Sequence, residues 1–450
     1  MAIKDNTAIF LNIETLFNSD QERTVPFLQK VYSQADLLKR CISKITYGVL
    51  NSQLIITGEK ILLKPNWVID NQKGDDDICL RTNHNLLLAL VEILVDLKPA
   101  SILIGDAPIQ LCNWEKIVLP DFNNRIHELA EKHNIPIIIK DFRRAIYNPS
   151  DKTGIKEKKA ISDYVLFDLG TQSYLEPISS KKNIFRVTNY NPDRLAVSHT
   201  SGIHKYCIAK EFFDVDVVIS LPKVKTHQKA GITCALKNLV GINGDKDFLP
   251  HHRVGGTGFG GDCYPGTNYF RRLSERCLDH ANRNIGGLRY KVFVLLSSFF
   301  WRINKKSPYH HLAAGWYGND TTWRMVLDLN HIAKYGKIDG TMSETPQREI
   351  YSLCDGIIGG QGDGPLHPEP LPLGILSFSN HSALTDNAMA CLMGFDCKKI
   401  PLIKESIKHI SINRAVINLN GRKVQLKELN QYKVRCKPPT GWEKHIENDG

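Results

Sequence analysis

The 450-residue chain has a formal net charge of +11, with 42% of its residues hydrophobic and 23% charged. Its length exceeds the roughly 250 to 300 residues that one hydrophobic core supports, which calls for a large domain with additions or for two domains. Its balanced composition, free of low-complexity tracts and internal repeats, excludes a disordered or fibrous protein.

The opening MAIKDNTAIFLNIETLFNSD carries acids early and no sustained apolar core, so it reads as mature protein rather than a secretory leader. From Arg23 to Val49 the spacing of Val25, Leu28, Val31, Leu37, Leu38, Cys41 and Ile42 is helical, and GEKILLKPNW follows as a strand. NHNLLLALVEILVDLKP predicts a helix capped by Asn83 or Asn85, and ASILIGDAP the next strand, which makes a parallel βαβ unit. NRIHELAEKHN and IPIIIKDF repeat that order to about Phe142. Between Arg143 and Lys205 the pattern weakens into short strands and polar turns such as YNPSDKTG and NPDRLAVSHTSG.

Val217, Val218 and Ile219 then form an unbroken β-branched run suited to a strand covered on both faces. A helical section from Tyr269 to Tyr335 is expected to cap the cleft. Within it, the apolar run from Val292 to Trp301 is about half the ~20 residues that span a bilayer, and it predicts a buried helix, with membrane-surface contact as the rival reading. REIYSLCDGIIGG and LPLGILSFSN read as strands flanking the glycine-rich GGQGDGPLHPEP, and SALTDNAMACLMGF as a helix capped by Ser382. Asn420 and Gly421 mark the turn of a peripheral β-hairpin.

The fold class that follows is α/β, a doubly wound and mostly parallel sheet with a helical cap insertion and a small C-terminal β-hairpin. Its parts are a first α/β half over 1–142, an irregular insertion over 143–205, the central motif over 206–268, the helical cap over 269–345, a returning α/β core over 346–412 and a basic extension over 413–450. Residues 398–450 hold 12 Lys and Arg against 5 Asp and Glu, so the positive charge is local. Such a surface attracts nucleic acid, anionic lipid or phosphorylated metabolites, but no aromatic residues interleave the charges as single-strand binding requires, and nucleic acid is disfavoured.

Eleven cysteines occur without a C-x-x-C pair, which points to reduced thiols in a cytoplasm rather than a disulfide framework or a cysteine-rich zinc site. The runs that hold an iron–sulfur cluster are missing as well.

Ligands of open α/β sheets bind beyond the carboxyl ends of the strands, and this puts Lys64, Asn66, Asp106, Lys223, Lys225, Thr226, His227, Lys237 and Asn238 at one rim. Lys64, Lys223 and Lys225 are suited to orienting an anion, with Asn66 and Asn238 beside them. His227 has lysine neighbours that depress its proton affinity, so a neutral imidazole is available for proton transfer; a loop histidine bonded to a carbonyl is the competing reading. Lys237 either points back toward the loop or is a solvated helix lysine.

Asp106 reads equally as a turn carboxylate or as a ligand or metal residue, and His252, in the mobile stretch LPHHRVGGTGFGGDCYPG, is the second candidate metal ligand. Gly362 and Asp363, in GGQGDGP, suit close approach of an anion or a plain turn. That segment follows neither the Walker nor the dinucleotide spacing, which disfavours an ATPase or a nicotinamide enzyme. Asp386 is placed to complement the dipole of its own helix.

In order, LLKPNW, ILIGDAP, VVISLPKVKTHQKAGITCALKNLVGI, CDGIIGGQGDGPLHPEPLPLGIL and TDNAMACLMGFD resemble the bacterial and archaeal family called domain of unknown function 362, over roughly Lys60 to Ile400. Many relatives carry a ferredoxin-like cysteine segment, which this sequence lacks. His227 and Lys237, followed by His251 or His252, are also similar to the motif order of nickel-pincer lactate racemases. That resemblance implies acid–base work for His227, an anchoring role for Lys237 and metal ligation for His252.

The expectation is a cytoplasmic enzyme acting on a small anionic or sugar-like metabolite by proton-transfer, isomerase-like, or redox chemistry. The alternative is a non-catalytic small-molecule or cofactor-delivery protein. The cofactor is unknown, with a divalent metal admitted, and the oligomeric state is open.

Overall fold

Alternate residues of the central strands feed two different cores. Ile61, Leu63, Ile219 and Leu221 point into one, with Leu86, Leu90 and Leu94 of the helix His84–Asp96, and Leu62 and Val218 point into the other, with Val326 and Leu384. Both faces of these strands are therefore covered, which is why Val217–Leu221 is buried at every position and reads as a continuous apolar run. Each fully buried leucine contributes about 2 kcal/mol relative to exposure.

The computed structural model describes residues 9–47, 49, 56–70, 77–147, 155–188, 190–285, 287–303, 312–408 and 415–447. In chain order its central sheet comprises β1 (Phe10–Thr15), β2 (Lys60–Pro65), β3 (Ser101–Asp106), β4 (Ile137–Asp141), β5 (Val217–Leu221), β6 (Lys223–His227), β7 (Gly231–Thr233), β8 (Glu349–Asp363), β9 (His367–Leu371), β10 (Ile375–Ser379), β11 (Val416–Leu419) and β12 (Arg422–Val424).

Strands β8, β5, β2, β3 and β4 lie side by side and parallel. From β2 the chain winds outward through β3 to β4, then crosses back to lay β5 and β8 on the other side. The winding reverses between β2 and β5, the position beyond which ligands of open α/β sheets bind. Beyond β8 the sheet continues through β10, antiparallel to both β8 and β1, and ends in β11 and β12. Asn420 and Gly421 take φ of 51° and 80° in the β11–β12 turn, as the sequence predicts. β1 was not foreseen; it lies between β10 and β11.

Several elements differ from expectation. The helical span 23–49 is two helices, Val25–Tyr32 and Ala35–Thr46. NPDRLAVSHTSG contains a helix, Pro192–Ser198, capped by the Asn191 side chain; the turn YNPSDKTG lies outside the described residues apart from Tyr147. The glycine-rich stretch of GGQGDGP is not a loop but the far half of the 15-residue strand β8. Its glycines admit a neighbouring strand: a Cβ on Gly360 would sit 2.7 Å from the Lys225 Cβ and 2.8 Å from that of Pro368. The helix Ser382–Leu392 is capped by His381 and not by Ser382, with the His381 ring accepting from the Leu384 N–H. Asn83 caps His84–Asp96 as predicted.

The helical insertion holds Tyr269–Arg283, Leu288–Ile303 and Thr322–Tyr335. The expected burial of Val292 to Trp301 is overturned, because no residue of Leu288–Ile303 is buried. Among the described residues no helix is long and apolar enough to cross a membrane.

Candidate functional site

At the reversal point, β2 and β3 bring Lys64 and Asp106 into a buried ion pair, Nζ to Oδ1 at 2.7 Å. The Lys64 ammonium also donates to the Pro65 carbonyl and to Oδ1 of Asn238. Asp106 accepts from the backbone N–H groups of Trp67 and Ala107 as well. Burial pulls the pKa of Lys64 below the ordinary lysine value, and Asp106 opposes that shift. Asn238 knits the group to β5 by donating to the Lys64 carbonyl and the Ser220 hydroxyl, while it accepts from Asn66. Oδ1 of Asn66 is buried without a partner. Gly241 closes over this pair: a Cβ there would lie 2.0 Å from Oδ1 of Asp106 and 2.6 Å from Nζ of Lys64.

Asn238 and Lys237 ride on the one-turn helix Ala235–Asn238, which follows directly from β7. Asp386, fully buried in Ser382–Leu392, accepts from the Leu236 N–H of that helix at 3.3 Å, so it serves the site helix and not the dipole of its own. Burial raises its carboxyl to about 7.

Beside this group lies a cluster of cations with few acids. The Lys237 ammonium makes no hydrogen bond or ion pair with any described residue, and burial, followed by repulsion from Lys246, Lys64 and Lys229, lowers its pKa to about 7. Lys246 donates to the Ala107 carbonyl at 3.0 Å and is lowered to about 8, chiefly by burial. His227, His251 and His252 are held well below the ordinary imidazole value by burial and by the same lysines. All three rings are neutral near pH 7.

The hydrogen bonds of two rings fix their tautomers. Nδ1 of His227 accepts the Lys229 backbone N–H at 3.0 Å, so a neutral ring carries its proton on Nε2 and presents a donor. Nδ1 of His251 lies 2.7 Å from the Leu249 carbonyl, so it bears the proton and leaves Nε2 with a free lone pair. The backbone of His251 is held in turn by Asn319 and Thr322 of the insertion, both donating to its carbonyl. Nδ1 of His252 is buried without a partner. A donor imidazole, an acceptor imidazole and an unpaired ammonium in one neighbourhood can bind an anion and move a proton.

The remaining predicted residues lie elsewhere. Lys223 is fully buried against Asp355 at 3.1 Å and the Tyr32 hydroxyl at 2.9 Å, a neutralised group rather than an open anion site. Lys225, also fully buried, donates to the Leu80 carbonyl and is lowered to about 7 by burial. Thr226 donates to the carbonyl of Gly362. Gly362 and Asp363 hold the segment that follows Cys436: the Gly362 N–H donates to Lys437, and Asp363 accepts from the backbone and hydroxyl of Thr440. From there Trp442 reaches back, its Nε1–H donating to the Gln228 carbonyl at 2.6 Å, one residue beyond His227.

Among the described residues no group of three or more His, Cys, Asp and Glu side chains is placed to hold a metal, Asp106 and His252 included. All eleven cysteines are free thiols. Sequence reasoning missed Lys246, whose neighbours Asp245 and Asp247 disguise it as a mixed-charge turn, and Lys229, which is next but one to His227.

Residues 162–391 match the profile of the family described as Domain of unknown function (DUF362). No curated protein matches the chain. Among solved structures, a crystal structure of a Thermotoga maritima protein is similar at 10% identity and a TM-score of 0.31, covering 76% of this chain. The match spans 56% of that protein's length.

Proposed function

The chain belongs to the DUF362 family, and we propose that it is a cytoplasmic enzyme that binds a small carboxylated, phosphorylated or sugar-like substrate and shifts a proton within it. The observation that carries this reading is the pairing of opposite tautomers beside an ammonium: His227 offers Nε2–H, His251 offers the Nε2 lone pair, and the Lys237 ammonium has no partner among the described residues. On this reading the anionic group of the substrate docks on Lys237, supported by Lys246. His251 takes a proton from the substrate, and His227 delivers one at the other reacting atom, as in an isomerase. The ion pair of Lys64 with Asp106 acts as the frame that orients Asn238 and the site helix.

The test is solvent exchange. The purified chain is incubated in D2O with a panel of 2-hydroxy acids and sugar phosphates, and deuterium entering carbon-bound positions is followed by NMR. Enzyme-dependent exchange that falls about 10²- to 10⁴-fold in His251→Asn supports the reading. Saturable binding of panel members with no exchange in any of them assigns the pocket to binding or delivery instead.

A further inference from the structure

The helix Leu288–Ile303, LRYKVFVLLSSFFWRI, buries none of its 16 residues. It runs antiparallel to Tyr269–Arg283, with His280 stacked on Phe293, the Ser274 hydroxyl donating to the Ser297 carbonyl at 2.9 Å and Arg271 lying 3.7 Å over the Trp301 ring. These contacts define the inner side of the hairpin. Its outer side is apolar: Leu288 is 79% exposed, Leu295 70%, Phe299 57% and Val292 45%, with Phe270 and Leu273 exposed on the companion helix. Positions 288, 292, 295, 299 and 303 follow the three-and-four spacing of a single helix face. The antiparallel register sets Phe270 and Leu273 level with the Phe299 end. A continuous apolar stripe of this kind marks a site of interaction.

Around the stripe the charge is positive. Arg276, Arg289, Lys291 and Arg302 are exposed. The two acids of the hairpin face the protein: Asp279 pairs with Arg186 at 2.8 Å, and Glu275 accepts the Gly255 N–H. We propose that this hairpin docks the protein onto an anionic lipid surface, with the apolar stripe in the acyl boundary and the arginines among the phosphates.

Three observations select lipid. A two-fold contact with a second copy would press the same arginines together. Leu288, Leu295 and Phe299 are each more than half exposed, so the stripe projects outward as insertion into a fluid layer requires. At 1.5 Å per residue the helix is about 24 Å long, short of the ~30 Å hydrocarbon layer, so it lies in the interface and does not cross it.

The experiment is co-sedimentation of the full chain with vesicles of phosphatidylcholine alone or mixed with phosphatidylglycerol, together with light scattering in the absence of lipid. The expected result is at least tenfold more protein on the anionic vesicles. Binding falls at least tenfold in Leu295→Ser with Phe299→Ser, and also in Arg289→Glu with Lys291→Glu, while circular dichroism and melting stay unchanged because these side chains are exposed. If the apolar pair misfolds, the charge pair decides alone. No binding of the unaltered chain, or undiminished binding by folded variants, overturns the proposal. A dimer that Leu295→Ser with Phe299→Ser converts to monomer overturns it too, assigning the face to a second copy.

Discussion

The backbone N–H of Lys229 donates to Nδ1 of His227, and that single bond at 3.0 Å decides which ring nitrogen carries the proton. His251 is set the opposite way by the Leu249 carbonyl. The two histidines are therefore not interchangeable: under the proposed mechanism His251→Asn removes the base and His227→Asn the proton donor. Each is expected to lower deuterium exchange by about 10²-fold or more without shifting the melting temperature by more than a few degrees.

The proposed docking of an anion on Lys237 depends on pH. Its pKa is about 7 in the fold against an ordinary 10.5, and Lys225 is alike. Between those values the unfolded chain binds more protons than the folded one, so these lysines make stability climb as pH rises from about 7 toward 10.5. Below 7 both are charged in either state and their destabilisation is present in full. Inorganic phosphate, which favours the charged ammonium, is expected to raise the melting temperature more at pH 6 than at pH 9. Lys237→Met is expected to flatten both trends, as thermal melts across the pH series would show.

Removing one partner of the buried ion pair strands the other. Asp106→Ala leaves the Lys64 ammonium without its carboxylate in a site 1% exposed, and is expected to destabilise the fold by about 3 to 5 kcal/mol in a denaturant titration. The double variant Asp106→Leu with Lys64→Met is expected to recover much of that loss, because no charge remains buried.

Gly241→Ala tests the close approach over the same pair. A methyl group there meets Asp106 and Lys64 at distances no ordinary contact allows, so the site loop must move. Phosphate-induced stabilisation is expected to fall at least several-fold, with the rest of the fold retained as judged by circular dichroism.

Asp386→Ala removes the acceptor for the Leu236 N–H at the start of the site helix. A loss of about 1 to 3 kcal/mol is expected from the unpaired buried donor. Exchange activity should drop as well, although Asp386 touches no substrate.

The parallel core was legible because its strands advertise themselves: Val217 to Ile219 is β-branched, and both cores require apolar residues there. The rim position of Lys64, Asp106, His227 and Asn238 followed from topology alone. What escaped the sequence depends on partners far along the chain. Lys223 looks like any substrate lysine until Tyr32 and Asp355 are brought to it across 191 and 132 positions. Gly359 to Gly362 looks like a loop because sequence does not reveal that the strand carrying Val224 and Lys225 needs the room. Val292 to Trp301 has the composition of a core helix, and only the packing shows that none of its residues is buried.

Trp442 reaches the carbonyl beside His227 from more than 200 positions downstream, and Thr440 fastens the same stretch to Asp363. Synthesis runs from the amino end, so the parallel core emerges from the ribosome well before this clasp exists. A chain cut before residue 440 would lose these bonds together with Trp442 and Ile446 of the main hydrophobic core, so the loop of His227 and the packing behind it are expected to loosen together.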